Sequence, residues 1–338
     1  MRMRNRTLRA VIPLMVLSLL LSIAIGCQPV PQDEQEEHTA DEIPSLSPVD
    51  LDEEQRLRVV ATTSIVADVV RNVGSDRIDL TQLMPLGTDP HTFEPIPQDV
   101  AAVSDAHVVF VHGAGLEAFL DDLLESAGGG VPAVPVTHGV ELLAFGGAEE
   151  HEEEEGEHAH EHSGADPHTW FDPNNVMVWV DNIEQALSAL DPDNAGVYAA
   201  NATAYQEELE ALDGWIREQV DRVPPARRRL VTDHTAFTYF CAAYGFEQVG
   251  AVVPAYSTLA EPSAQELAAL QEAIDQYNVP ALFVGNTVSP DLAQQVANDT
   301  GTQLVFLYTG SLSEAGGPAD DYISFMEYDV SAIVDALR

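Results

Sequence analysis

Two tetrapeptides in this chain are identical: DPHT at residues 89–92 and DPHT again at 166–169. Each would aim one imidazole, His91 or His168, from a loop at the carboxyl end of a strand. A third histidine, His234 in VTDHTAF, follows the first strand of what reads as a second lobe. Neutral imidazole is a good zinc ligand, and zinc takes about four N, O or S donors at roughly 2.0–2.3 Å. Any single histidine is more often a surface or core residue than a ligand. Three at comparable topological places converge on one cleft far more readily than eleven scattered ones, so His91, His168 and His234 are the candidate metal ligands.

The elements that would position them are legible. LRVVATT reads as a strand, SIVADVVRNVG as a helix ended by Gly74, and IDLTQLM as a strand. A turn-rich loop leads into a helix from about 97. AHVVFVHG and VPAVPV read as strands around the helix LEAFLDDLLESA, and PNNVMVWVDNIEQALSAL as a helix with Pro173 in its first turn. One long helix is predicted over 193–223: Tyr198, Tyr205, Leu209, Leu212 and Ile216 recur at spacings that share one face, and Pro224-Pro225 stops it. After it the alternation of strands and helices restarts. We therefore expect an α/β protein with two lobes, 56–192 and 224–338, each built on a parallel sheet and joined by that helix. Open α/β sheets bind ligands at the carboxyl ends of their strands, so the cleft between the lobes is the natural site.

The other histidines divide into groups. The stretch EEHEEEEGEHAHEHSGADPHTWFDP interrupts the first lobe, its acidic run spanning about 147–165. His151, His158, His160 and His162 lie in this run and read as a zinc-capturing antenna, since clustered imidazoles and carboxylates raise local capture through weak, multiple contacts. The bland alternative is a solvated acidic insertion. His107 and His112 flank VVFV and are expected at the cleft wall. His138 is unassigned and His38 falls in a tether.

The chain carries 14 Lys+Arg, all of them Arg, against 56 Asp+Glu, a formal net charge of −42. Nucleic acid and anionic headgroups are poor partners for such a surface. The N-terminus reads as a secretory signal: an Arg-bearing MRMRNRTLRA, then a 16-residue apolar run too short to span a bilayer. Its AIGC ending resembles a lipobox, which makes residues 1–27 a signal ending in the lipid-modified Cys27. Residues 28–55 are polar and Pro-bearing and read as a flexible tether. The expected location is the outer face of the cytoplasmic membrane or the periplasm, with the lipid as the only membrane contact. Cys241 lies in the apolar FTYFCAAYGF and reads as a buried small hydrophobe.

These pieces resemble, in order and spacing, the metal-binding lipoproteins of bacterial zinc and manganese ABC importers. The resemblance rests on VVATTSIVADVVRNVGSDRIDLTQLMPLGTDPHTFEP, DPHTWFDPNNV, LVTDHTAFTYFCAAYGF, AEPSAQELAAL and LYTGSLSEAGGPADDYISFM, and covers nearly all of 57–338. It implies two Rossmann-like lobes joined by a rigid helix, a metal site in the cleft, no catalysis, and delivery of the ion to an ABC-type permease by a monomeric carrier. The family's three metal-binding histidines fall on His91, His168 and His234. Many relatives place an acidic ligand in the segment that here reads LYTGSLS, where Gly310 has no side chain. An earlier segment that often carries a carboxylate has Asn286. The fourth donor stays open between water, which we favour, and Glu261. Three imidazoles with little carboxylate favour Zn2+ over Mn2+, and the resemblance links such His-rich loops to zinc-specific members. A catalytic zinc is the rival, since three histidines and a water also describe a hydrolytic site. No HExxH motif is present.

Overall fold

The computed structural model describes residues 43–52, 55–144 and 164–338. Cys27, His38, His151, His158, His160 and His162 lie outside them. Two four-stranded parallel sheets share one strand order. In the first, β1 (Leu57–Ala61), β2 (Ile78–Gln82), β3 (Val108–Val111) and β4 (Ala133–Pro135) run in the order β2-β1-β3-β4. In the second, β5 (Arg229–His234), β6 (Glu247–Val253), β7 (Ala281–Gly285) and β8 (Gln303–Leu307) run β6-β5-β7-β8. Burial follows that order. Central strands such as VVFV and ALFVG are buried throughout, whereas the edge strand IDLTQ alternates, as expected where helices cover both faces of an inner strand.

The helices are α1 (Ser64–Gly74), α2 (Pro97–Ser104), α3 (Leu120–Ser126), α4 (Pro173–Leu190), α5 (Ala195–Val220), α6 (Thr238–Tyr244), α7 (Ala264–Tyr277), α8 (Asp291–Thr300) and α9 (Tyr322–Leu337). α1 shows how local chemistry sets an element. Thr63 caps it by accepting from Val66 N, and Ile65, Val66, Val69, Val70 and Val73 are buried. Its β-branched residues are mediocre helix formers, and burial at about 1.5–3 kcal/mol per large aliphatic side chain outweighs that. Gly74 is required for space: a β-carbon there would lie 2.4 Å from Ile78 Cδ1. Ser75, at φ 50°, is the residue that turns the chain out of the helix.

The long connecting helix is α5, and Tyr198, Ala202, Tyr205, Leu209, Leu212, Ile216 and Val220 form its buried stripe. One apolar core runs through both lobes. Phe171 stacks on Phe237 from the other lobe at 4.3 Å between ring centroids and lies 5.9 Å from Phe325. A shared core of this kind resists large hinge motion, because close-packed side chains do not deform continuously.

The described residues include part of the expected 28–55 tether. Residues 43–52 have no regular structure, yet Leu46, Val49 and Leu51 pack on the core and Val49 N donates to Leu190 O at 2.8 Å. Apolar residues spaced through PSLSPVDL give that stretch something to bury, which the polar segment before it lacks. Among the described residues, no helix is long and apolar enough to cross a membrane.

Candidate metal centre

Both DPHT tetrapeptides are Asx turns. Asp89 Oδ1 accepts from His91 N at 3.0 Å, and Asp166 Oδ1 accepts from His168 N at 2.8 Å. The intervening proline has no N–H to compete and fixes its own φ. Each turn therefore projects an imidazole. The loop after β2 carries His91, and the segment entering α4 carries His168. His234 is the last residue of β5, where Asp233 Oδ1 accepts its backbone N–H at 2.7 Å. All three lie at carboxyl ends of strands or in the loops beyond. They do not occupy equivalent strands, however, because His91 follows an edge strand and His234 ends an inner one.

The three imidazoles meet. His168 Nε2 is 3.2 Å from Nε2 of His91 and 3.2 Å from Nε2 of His234. One ligand atom from each lies within 4.8 Å of the others, and among the described residues this is the one cluster of three or more such side chains able to hold a metal. The edge of a tetrahedron with bonds of about 2.0–2.1 Å is roughly 3.3–3.4 Å, so the spacing suits a single small cation. His168 and His234 are buried and His91 is partly so.

The rings are aimed from behind. His168 Nδ1 donates to Asp166 Oδ1 at 2.6 Å and His234 Nδ1 to Asp233 Oδ1 at 2.9 Å. That places the proton on Nδ1 and leaves the Nε2 lone pair facing inward, the arrangement that orients metal-binding imidazoles. Gly285 N donates to Asp233 Oδ2 at 2.7 Å. Burial alone would raise both aspartates, but their histidines and backbone N–H groups outweigh it and hold them below the usual carboxylate range. Burial, reinforced by the facing rings, holds His91 down at about 2. Burial also lowers His168, against the pull of Asp166. His234 goes the other way: burial lowers it, but Asp233, Asp89 and Asp166 together carry it above the ordinary imidazole value. The neutral, ligand-competent form is thus built into two of the three rings.

Glu261 stands apart from this cluster. It is exposed, and lines a neighbouring cavity with Asp233, His234 and Thr258. Gly310 faces the centre without a side chain, packed against Pro90. The expectations for His107 and His112 separate. His107 accepts from Arg58 N at 3.0 Å at the opposite, amino end of the first sheet, so it is no part of the cleft wall. His112 is buried between Trp170 and Trp179, and its Nε2 donates to Pro167 O at 2.6 Å. It braces the turn that carries His168. Burial pushes it down to about 3. The Cys241 thiol, desolvated, is pushed up to about 12, which removes it as a nucleophile. Asp166, Asp233 and Trp170 support the site without standing out in the sequence. An aspartate one or two residues before each of two candidate ligands was the available signal.

A model of the family described as "Zinc-uptake complex component A periplasmic" matches residues 59–336. The chain belongs to this family. It is accordingly a solute-binding component of metal ABC importers and not an enzyme. Two similar curated proteins are the manganese-binding lipoprotein MntA of Halalkalibacterium halodurans, 34% identical with 83% of this chain and 88% of that one covered, and the manganese ABC transporter substrate-binding lipoprotein PsaA of Streptococcus pneumoniae, 33% identical with 84% and 90% covered. Among solved structures, the periplasmic zinc-binding protein TroA of Treponema pallidum is 27% identical, with a TM-score of 0.75 over 84% of this chain and 99% of that one. A manganese-bound periplasmic metal-binding protein from Candidatus Liberibacter asiaticus is 25% identical, with a TM-score of 0.72 over 84% and 100%.

Proposed function

We infer that this protein captures Zn2+ outside the cytoplasm and hands it to an ABC permease. The carrying observation is the donor set: three imidazole nitrogens close enough to share one ion and, among the described residues, no carboxylate in that cluster, Asp89 at the cavity wall being engaged by His91 N and Thr258. Nitrogen-rich, four-coordinate sites suit zinc, whereas manganese favours oxygen donors. His91, His168 and His234 are the ligands, with water as the fourth donor in place of the exposed Glu261. Cys27 carries the lipid that holds the protein at the membrane, and the acidic histidine-rich stretch gathers ions for the cleft.

Manganese is the second reading, and the names of MntA and PsaA favour it. Competition between Zn2+ and Mn2+ for the metal-free protein decides between them. Zinc preference of at least roughly a hundredfold, abolished in His234→Ala, is the expected result. Equal affinity for the two ions, or tight zinc binding that survives His234→Ala, would overturn the assignment.

A further inference from the structure

The centre contains an orphaned hydroxyl. Thr309 is 2% exposed, and its Oγ1 has no hydrogen-bond partner. Buried polar groups are almost always paired, so an unpaired one in a native protein calls for an explanation. Thr309 lines the same small cavity as His91, His168 and His234, together with Asp89, Thr287 and Gly310; the Asp89 oxygens are taken by His91 N and the Thr258 hydroxyl.

Its placement is enforced. Thr309 N donates to Asn286 Oδ1 at 3.2 Å, and Thr309 O accepts from Trp170 Nε1 at 2.9 Å across the lobes. The preceding Tyr308 N donates to the buried Asp329 at 2.9 Å. Gly285 makes room for the hydroxyl, because a β-carbon there would sit 1.9 Å from Thr309 Oγ1. The same imagined carbon would lie 3.0 Å from Asp233 Oδ2, so the hydroxyl stands beside the carboxylate that supports His234. Three bonds hold the backbone at Tyr308 and Thr309, and the missing Cβ of Gly285 accommodates the unsatisfied oxygen.

We propose that Thr309 is the positioning residue for the ion's fourth ligand, a water molecule, whose hydrogen bond its hydroxyl accepts. This rests on the three-histidine reading of the site. Three nitrogens leave one position of a tetrahedral ion open. Gly310 supplies no atom there. A water on the ion needs further partners, and Thr309, which lines the cavity, carries an unpaired oxygen. The empty side chain of Gly310 and the unpaired hydroxyl of Thr309 become two halves of one arrangement, in which a protein-bound water replaces a carboxylate ligand.

The test compares wild type, Thr309→Val, Thr309→Ser and His91→Ala. Co2+ serves as a spectroscopic probe and Zn2+ affinity is read by chelator competition. Thr309→Val keeps the shape and deletes the acceptor. The expected result is a roughly tenfold loss of zinc affinity, at the low end for groups behind a metal ligand, and a changed Co2+ absorption band. Thr309→Ser restores both. The metal-free Thr309→Val protein melts at the same temperature as wild type or higher, because an unpaired buried group is gone. Unchanged affinity and unchanged Co2+ bands in Thr309→Val would overturn the proposal, and so would a lowered metal-free melting temperature that alone accounts for the loss. A wild-type Co2+ spectrum insensitive to His91→Ala would instead refute the three-histidine site itself.

Discussion

Gly310 lies directly against Pro90, so that a β-carbon on Gly310 would come within 2.9 Å of Pro90 Cδ. One residue belongs to the second lobe and the other to the DPHT turn that carries His91. The absence of a side chain therefore does two things. It lets the lobes close to contact, and it leaves that stretch of the cavity wall without an acidic side chain.

Gly310→Asp separates those effects. The carboxylate adds an oxygen ligand, which favours manganese relative to zinc. The Zn2+ to Mn2+ preference is expected to fall roughly tenfold, about 1.4 kcal/mol. Displacing Pro90 is expected to cost the metal-free protein about 1–3 kcal/mol, as other overpacked sites do. Competition titrations and metal-free melting curves measure the two quantities independently. An unchanged ion preference would show that the position does not reach the metal.

The carboxylates behind the rings are the next point of leverage. Asp233 holds His234 through Oδ1 while Gly285 N occupies Oδ2, and Asp166 holds His168. Replacing either by Asn keeps the volume but removes the charge that fixes the tautomer. Zinc affinity is expected to fall about 10- to 100-fold in each variant, with the metal-free fold retained. Isothermal titration of Asp233→Asn and Asp166→Asn, alongside circular dichroism, gives the answer. Wild-type affinity in both would mean the rings are aimed by packing alone.

Much of this is legible in the sequence. The buried run VVFV and the spaced stripe Tyr198–Ile216 read correctly because inner strands and amphipathic helices carry their burial in their pattern. The three histidines stand out because two lie in a repeated tetrapeptide and the third ends a strand. What escapes is relational. His107 and His112 sit symmetrically about VVFV in sequence, yet a four-residue strand puts them at opposite ends of the sheet, one at the cleft and one far from it. The contact of Thr309 with the cavity depends on Gly285 and Asn286 from a neighbouring strand end, which no local pattern encodes. The docking of 43–52 escapes because prolines and serines hide three well-spaced apolar residues.

Burial also fixes how the metal-free protein responds to acid. His91 and His112 stay neutral in the fold down to about 2 and about 3, whereas in the unfolded chain they titrate near about 6.5. Below about pH 6.5 the unfolded state therefore binds protons that the folded state refuses. Stability should drop as pH falls from about 6.5 toward 3, by up to roughly 1.4 kcal/mol per pH unit for each group. His234 acts oppositely. Its raised value adds stability below about 6.5 that fades as pH rises through its folded pKa. Denaturant melts of the metal-free protein between about pH 7 and 5 test this, with His91→Gln expected to flatten the acid limb. An equally steep limb in that variant would show that His91 is not held neutral. On the proposed three-histidine site, zinc displaces the proton on His234, so its affinity should begin to weaken at a pH above about 6.5.

The histidine-rich stretch enters the fold beside the metal centre. Ala144 and Ala165 pair as an isolated antiparallel bridge, and Asp166 N donates to Leu143 O at 2.8 Å. The Tyr239 hydroxyl, from the other lobe, donates to Asp166 O at 2.7 Å and accepts from Leu143 N at 3.1 Å. The root is thus tied off independently of what lies between, one residue from the aspartate that orients His168. Deleting 149–163 and joining the ends with a short Gly-Ser linker should leave that root and the three imidazoles in place. Calorimetry of the deletion is expected to give one tight zinc site, within about threefold of the full chain, and to lose the weak additional binding that clustered side chains supply. Transfer of zinc from a competing chelator is expected to slow, because fewer ions are held near the cleft. If the deletion abolishes tight binding, the ligands lie in the removed stretch and the cleft is not the principal site. If it alters neither weak binding nor loading rate, the stretch is only a solvated acidic insertion.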